Sequence, residues 1–508
     1  MPAGTTFISR DANAATGASL NALEIFRHLS YGHLVAALSL GLVMRLFFII
    51  HFPFYAGDTK FYDELARNLL DHRVYGLFVN GQLTPVDMRM PGYPMFLAGL
   101  YATFGQSIRA VMVVQACIDL ITCVLTALIA GMIAPVYSRK RVATIALWMA
   151  ALCPFTANYT AAVLTEVLAT FLTTLAVLAF VIAFGRASTD PSKESFGHQR
   201  LYSEAASWLI TGFIVGLGTL VRPETPLLLL AAGLVLAVYW RYRVNWPKLF
   251  LAVSWTSLGL ILPLTPWAAR NARTLGRVEF LAPRYAQTYG DFIPRGFYDW
   301  TGTWMIRFKD AYLVIWKLGK GPIRIEELPA SAFDSSAERS RVAALIDRYN
   351  SDLQMSPILD REFATLARER KLRRPIRTYI EIPLARMATI WFAPRIALLP
   401  YSGKLWPAAE NWRNKRIDFG VTAAFGTLNF LYVGMAVVGA VRFRKQPTIA
   451  FLILMVAIRT VFLTQLQTVE PRYVIVCYPV ILALGALAWS GRPTERALAA
   501  DSAEGGWS

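Results

Sequence analysis

Four cysteines in 508 residues, Cys117, Cys123, Cys153 and Cys477, are too few and too scattered for a disulfide-stapled chain. All four lie inside apolar stretches, and none forms a CxxC pair or a metal-ligand spacing. The five histidines are equally dispersed. No GxSxG, HExxH, GxxxxGK[ST] or GxGxxG occurs, so the sequence carries none of the usual signatures of a nucleophile-elbow hydrolase, a zinc protease, a P-loop enzyme or a dinucleotide-binding unit. Charge is also scarce, at 17% of residues against about 25% in an ordinary soluble domain. What charge there is leans one way, with 51 Lys and Arg against 33 Asp and Glu for a net +18. In a chain that is 55% apolar with a mean hydropathy of +0.42, such an excess points to loops facing anionic lipid and phosphate groups rather than to a nucleic-acid partner.

Long apolar runs are abundant. A helix rising 1.5 Å per residue needs about 20 apolar residues to cross the bilayer, and ten segments approach that length: 33–52, 109–134, 142–155, 164–184, 206–221, 226–239, 249–269, 419–441, 448–463 and 474–489. The first is too long for a cleavable signal and is expected to stay as an anchor. The fold class predicted is an all-α polytopic membrane protein of about ten transmembrane helices. Basic residues fall in alternate short loops: Arg139-Lys140-Arg141, then Arg186, Lys193 and Arg200, then Arg241, Arg243 and Lys248, and finally Arg442, Arg444 and Lys445. By the positive-inside rule these loops are cytoplasmic, which puts loop 53–107 and the long segment between the seventh and eighth spans outside.

The domain plan expected is a mobile cytoplasmic tail (1–32), a transmembrane module (33–269) with outer loop 53–107, an external or interfacial segment (270–416), C-terminal transmembrane helices (417–490) and a second mobile tail (491–508). Stretch 379–399 is too interrupted by Pro383, Arg386, Pro394 and Arg395 for a simple crossing, so it is read as a helix at the interface. Segment 270–377 is rich in charge, its latter part 338–374 is helical in pattern, and the simple reading of the whole is a charged, solvated cap. Arg45, inside the first span, must face protein or water, because a charge at mid-bilayer costs about 2.5–3.5 kcal/mol. Gly212 and Gly216 form a small-xxx-small pair suited to close helix packing.

The first outer loop is the most informative stretch. From Gly57 it reads GDTKFYDELARNLLDHR, and a 100° step places Phe61, Tyr62, Leu65, Ala66, Leu69 and Leu70 on one half of the helix. Lys60, Asp63, Glu64, Arg67, Asn68 and Asp71 take the other half. This is the pattern of an amphipathic helix lying on a membrane surface. Asp58 stands at its N-terminal boundary, where the helix dipole and free N–H groups favour the ionised carboxylate. The position suits a general base and equally an ordinary N-cap. A Gly-containing turn region (76–85) follows, and then PVDMRMPGYPMFLAGLYATFG, a proline-rich entry into an apolar helix too short to span.

Asp, amphipathic helix, hairpin and Arg-x-Pro-Gly-Tyr-Pro together resemble the integral-membrane glycosyltransferases of the GT-C class, and most of all the branch akin to dolichyl-phosphate-mannose protein mannosyltransferases and the aminoarabinose transferase acting on lipid A. Five further stretches continue the resemblance in order: LTEVLATFL from Leu164, TLVRPETPLLL from Thr219, PWAARNARTLG from Pro266, ERKLRRPIRTYIEIPLARMATIW from Glu369 and EPRYVIVCYP from Glu470. Met90 departs from the pattern, since relatives commonly carry a second proline there.

The resemblance implies a multi-pass protein of the bacterial plasma membrane that moves a sugar from a polyprenyl-phosphate carrier to a glycan, lipid or protein acceptor on the outer face, with inversion. Asp58 would deprotonate the acceptor, and Glu166 would orient the acceptor or bind sugar. Arg89, Arg270 and Arg472 would hold the lipid phosphate through planar guanidinium groups. Tyr62, Tyr93, Tyr473, Arg222 and Glu224 would contact substrate, although Arg222 and Glu224 could simply pair with each other. No cofactor is required, and a divalent cation is compatible but not indicated. The rival from another class is a transporter or lipid-linked-glycan flippase with the same span count. The amphipathic first loop and the long outer insertion argue against it, and convergence of Asp58 with Glu166 would separate an enzyme from a scaffold that keeps the fold.

Overall fold

The computed structural model describes residues 22–55, 57–188, 197–241, 246–283, 285, 292–466 and 468–491. Most of the two tails expected to be mobile lies outside the described residues. The end of the first does not, and it departs from expectation: α1 (Ala22–His28) is a helix, and Ile25 and Leu29 are buried. Ile25 sits against Gly131, where even a Cβ would come within 2.6 Å of it.

The chain is an all-α polytopic membrane protein. Seven helices among the described residues are long and apolar enough to cross a membrane. They are α2 (Tyr31–His51), α5 (Ile108–Ile133), α7 (Glu166–Ser188), α8 (Gly197–Val221), α10 (Trp246–Leu275), α16 (Arg416–Arg442) and α17 (Pro447–Thr464). The other three of the ten predicted segments are helical but shorter or broken. Segment 142–155 lies in a pair bent by 42° between Val136–Ala151 and Pro154–Ala161, which makes an eighth span if counted as one. Segment 226–239 gives the short helix α9 (Leu227–Arg241). Segment 474–489 starts as a tight 3-10 stretch, Pro471–Cys477, before α18 (Tyr478–Leu487). In each case proline at or near the start denies the helix its first backbone donors and sets its boundary.

The chain forms two compact units. The first comprises Met1–Pro283, Ile396–Val456 and Ile475–Ser508. In it, α8 packs on α10 through glycine. A Cβ on Gly212 would lie 2.0 Å from the Thr256 carbonyl oxygen, and one on Gly259 2.2 Å from that of Leu209, so the two backbones touch. Arg45 faces protein, as its cost in lipid demands. It is fully buried and its Nη2 lies 2.6 Å from Asp119 Oδ2 on α5, with the Gly41 and Ala151 carbonyls taking Nη1 at 2.8 and 2.9 Å.

The second unit comprises Arg284–Arg395 and Ala457–Val474. These bounds differ from the segment predicted at 270–416, because α10 runs on to Leu275 and the end of α17 joins the second unit. Nor is it merely a charged, solvated cap. The aromatic rings of Phe297 and Trp300 on α11 (Arg295–Gly302), with Trp304 just beyond, pack on Phe363 of α13 (Pro357–Arg373) in a core that also takes Tyr349 of α12 (Ser336–Asp352). Its charges form networks at the rim, where Asp334 is ringed by Arg370, Arg374 and Arg377. The interrupted stretch is a π-turn (Arg377–Glu381) leading into α14 (Ile382–Phe392). Arg386 and Arg395 are buried in protein, and Arg386 donates to the carbonyls of Gly302, Met305 and Thr464.

Candidate active site

The site lies within the first unit, where one end of successive spans gathers α3 (Asp58–Asp71), the hairpin β1 (Gly76–Val79) with β2 (Gln82–Pro85), and α4 (Gly92–Phe104). Asn80-Gly81 makes the two-residue turn with positive φ at both positions, the combination an antiparallel pair with right-handed twist selects. Gly57, at φ 59°, turns the chain into α3, so the N-cap position is Gly57 and Asp58 is the first helical residue.

Local contacts bring the loop to Glu166. Phe54 forms a parallel bridge with Ala162, and Thr59 Oγ1 donates to the Val163 carbonyl at 3.0 Å. Asp58 is thereby tethered beside the turn that opens α7 at Glu166. From the other side, a Cβ on Gly92 would lie 2.6 Å from the Leu220 carbonyl oxygen, so the Arg-Met-Pro-Gly strap lies directly against the end of α8 and the turn carrying Arg222.

Two ion pairs result. Arg89 Nη2 lies 3.1 Å from Asp58 Oδ1, with both side chains about a quarter exposed at 25% and 28%. Arg222 Nη2 lies 2.7 Å from Glu166 Oε1, with the side chains 9% and 1% exposed. Arg222 Nε also donates to Thr165 Oγ1 at 3.1 Å, while Glu224 stands farther off at 3.4 Å. The predicted Arg222–Glu224 pairing therefore exists, but as the looser of two, and Glu166 is the closer partner.

Tyr62 ties the pairs together. Its phenol is pushed up to about 12 by burial and then by the charge of Asp58, opposed by Arg89 and Arg222, with Glu166 adding a smaller push. All four charges therefore act on one hydroxyl, which stays protonated and able to donate. The Tyr62 ring meets Tyr93 edge-on at 5.2 Å. Tyr93 is buried and donates to Gln115 Oε1 at 2.8 Å, and Gln115 Nε2 reaches the Ala162 carbonyl at 2.8 Å. A continuous line of contacts thus runs from Tyr62 back to the turn before Glu166. Asp58 and Glu166 are linked through the contacts of the loop and of Tyr62.

The other arginines have different employment. Arg270 donates to the carbonyls of Tyr75 at 2.6 Å and Val86 at 2.9 Å, with its guanidinium 5.2 Å from the Trp267 ring centroid. It clamps both ends of the hairpin to the end of α10. Next to it Arg277 holds Asp87 at 2.6 Å, and the amide of Ala282 donates to Met90 Sδ at 3.1 Å, so Met90 gives the strap a sulfur acceptor. Arg472 belongs to the second unit, where its Nε lies 2.5 Å from Glu470 Oε2 and the Tyr473 hydroxyl donates to Glu470 Oε1 at 3.0 Å.

The amphipathic wheel misassigned two residues. Asp63 and Asn68, expected on the polar half of α3, are buried. Asp63 is satisfied there by Tyr55 at 2.7 Å, by Tyr101 of α4 at 2.6 Å and by Arg67, and Asn68 donates to the Gly76 carbonyl at 2.8 Å. Hydrogen bonds thus let the helix bury polar residues as well as its apolar stripe. Among the described residues no group of three or more His, Cys, Asp or Glu is arranged to hold a metal ion.

No described protein family and no curated protein matches the chain. Solved structures do. The oligosaccharyltransferase AglB from Archaeoglobus fulgidus, in complex with an inhibitory peptide and a dolichol-phosphate, is 15% identical over 94% of this chain and 54% of that one, with a TM-score of 0.46. Its apo form is 15% identical over 91% and 50%, at 0.47. ArnT from Cupriavidus metallidurans in the apo state is 13% identical over 91% and 78%, at 0.38. The chain spans about half the length of the oligosaccharyltransferases to which it is similar.

Proposed function

We propose that this protein is a membrane glycosyltransferase that moves a sugar from a polyprenyl-phosphate donor to an acceptor hydroxyl or phosphate on the outer face, with inversion. The observation that supports this reading is a pair of acid–arginine contacts, Asp58 with Arg89 and Glu166 with Arg222, on elements tied to each other by the Phe54–Ala162 bridge and the Thr59–Val163 hydrogen bond. For a hydroxyl acceptor, Asp58 takes its proton as the oxygen attacks the anomeric carbon from the face opposite the phosphate. The bond from that carbon to the phosphate oxygen breaks, and polyprenyl phosphate leaves as the anion. Arg89, only 3.1 Å from Asp58 and partly exposed, is the cation able to turn to the departing phosphate, whose charge needs a fixed partner in the transition state.

Glu166 is held by Arg222 to orient sugar or acceptor, and Tyr62 donates into the same space, with Tyr93 behind it and Glu224 at the edge. Arg270 positions the strap that carries Arg89 rather than touching phosphate. The orientation proposed is an active site facing outward from a bacterial plasma membrane.

The test is Asp58→Asn in purified protein given a polyprenyl-phosphate sugar. Loss of a general base costs about 10²–10⁴-fold, so transfer should fall by that order. Because Gly57 and not Asp58 holds the N-cap position, melting should barely change. Undiminished transfer by the folded variant would remove Asp58 from the chemistry.

A further inference from the structure

The second unit exposes apolar side chains in two different ways. Leu372, Ile376 and Ile380 are aliphatic and follow one another along the end of α13 and the π-turn after it. The other patch is aromatic. On the 3-10 turns Phe308–Leu313 and Ile315–Lys317, Phe308, Tyr312 and Trp316 recur every fourth residue and close into a triangle. Tyr312 and Trp316 lie 4.3 Å apart between centroids, and Phe308 stands 5.5 and 5.4 Å from them, nearly perpendicular to each. Phe308 braces the other two, which are 51% and 42% exposed. Arg307 and Lys309 beside them are exposed as well.

A polar edge adjoins this wall within the same unit. Tyr312 lies within electrostatic reach of Glu470 and Arg472. Glu470 is buried, and its carboxylate accepts from Arg472 Nη2, contacts Nε and accepts from the Tyr473 hydroxyl, so a guanidinium, a carboxylate and a phenol are held together at a set spacing. Braced aromatic faces next to an ordered guanidinium–carboxylate pair suit a ligand with apolar C–H faces and a dense belt of hydroxyls. A pyranose ring has both. A bilayer surface fits less well, because it offers nothing to an ordered acid–arginine–tyrosine group, whereas the aliphatic row at Leu372 needs no such edge.

We infer that Tyr312 and Trp316, braced by Phe308 and edged by Glu470, Arg472 and Tyr473, form a saccharide-binding platform that holds a pyranose ring of the acceptor or donor glycan. The inference deepens the glycosyltransferase reading and rests on it for the identity of the glycan, but sugar binding can be read without transfer.

The experiment is saturation-transfer NMR on the full-length protein in detergent, with mannobiose, cellobiose and N,N′-diacetylchitobiose as probes. At least one probe should receive saturation at its ring protons. The double variant Tyr312→Ala, Trp316→Ala should weaken that probe's binding at least about fivefold, in line with the worth of aromatic contacts. Tyr312→Phe with Trp316→Phe should keep most of it, which separates lost stacking from misfolding. Leu372→Ala, in the aliphatic row of the same unit, should leave it unchanged. Absence of transfer to all three probes, or equal binding by wild type and the alanine pair, would overturn the platform. So would quenching of Trp316 by dibrominated phosphatidylcholine in nanodiscs, measured as the difference between wild type and Trp316→Phe, since that would place the rings in the bilayer. If the platform binds sugar while Asp58→Asn still catalyses transfer, the proposed mechanism falls and the platform stands.

Discussion

The two acid–arginine pairs of the site use the same chemistry in opposite settings. Glu166 and Arg222 are held between helix ends and almost closed to solvent, while Asp58 and Arg89 lie on loop-borne backbone with a quarter of each side chain exposed. A buried pair that loses one member leaves an uncompensated charge, which makes it a fixed part of the architecture. A partly exposed pair contributes less to stability and can exchange partners more cheaply. The difference assigns the first pair to holding the site and the second to working in it.

That contrast can be broken in order of expected effect. Arg222→Ala should destabilise the protein by about 3–5 kcal/mol, the cost of stranding a buried carboxylate, and the double variant with Glu166→Gln should recover much of the loss. Thermal unfolding in detergent measures both, and a wild-type melting curve for Arg222→Ala would show that the pair holds nothing. Gly92→Ala should cost about 1–3 kcal/mol by forcing the strap off the Leu220 carbonyl, with transfer falling alongside. Arg89→Ala should change stability by under about 1 kcal/mol yet slow transfer, and Arg89→Lys should rescue it only in part because it lacks the planar fork.

The smallest effect is one of pH. Glu279 is raised above its ordinary value by burial and then by its hydrogen bond with Asp87 on the strap, against the charge of Arg277. A carboxyl so raised stabilises the fold while it keeps its proton and loses that contribution as pH rises through its folded value. Hydrogen exchange of residues 82–92, corrected for intrinsic rate, should therefore be slower at pH 5 than at pH 8. Glu279→Gln, which cannot ionise, should flatten the difference. An unchanged pH dependence in that variant would assign it elsewhere.

Much of this was legible because the local signals were strong. The glycine-containing stretch 76–85 marked a turn, although it holds two strands around Asn80-Gly81, the Gly212 and Gly216 spacing marked a close helix contact, and the apolar runs marked nearly every span. What was hidden depended on partners distant in sequence. Nothing near Arg89 names Asp58 as its counter-ion. The buried state of Asp63 depends on hydroxyls from Tyr55 and Tyr101, the latter 38 residues away, and helical periodicity cannot see them. The Arg45 partner was there to be found: Asp119 is the one acid within α5, and two opposite charges in neighbouring apolar spans have strong reason to meet. The core of the second unit escaped because its aromatics are spaced among charges that dominate composition.

Arg45 and Asp119 also bear on how the protein is made. They lie 74 residues apart in sequence, and at a synthesis rate of about 5–20 residues per second the arginine emerges roughly 4–15 s before its counter-charge. During that interval the first span carries a cation that has not yet met Asp119. The first two spans therefore cannot be released into lipid one at a time without cost. Leaving the insertion machinery as a pair avoids that cost, since the arginine then meets its counter-charge before it meets lipid.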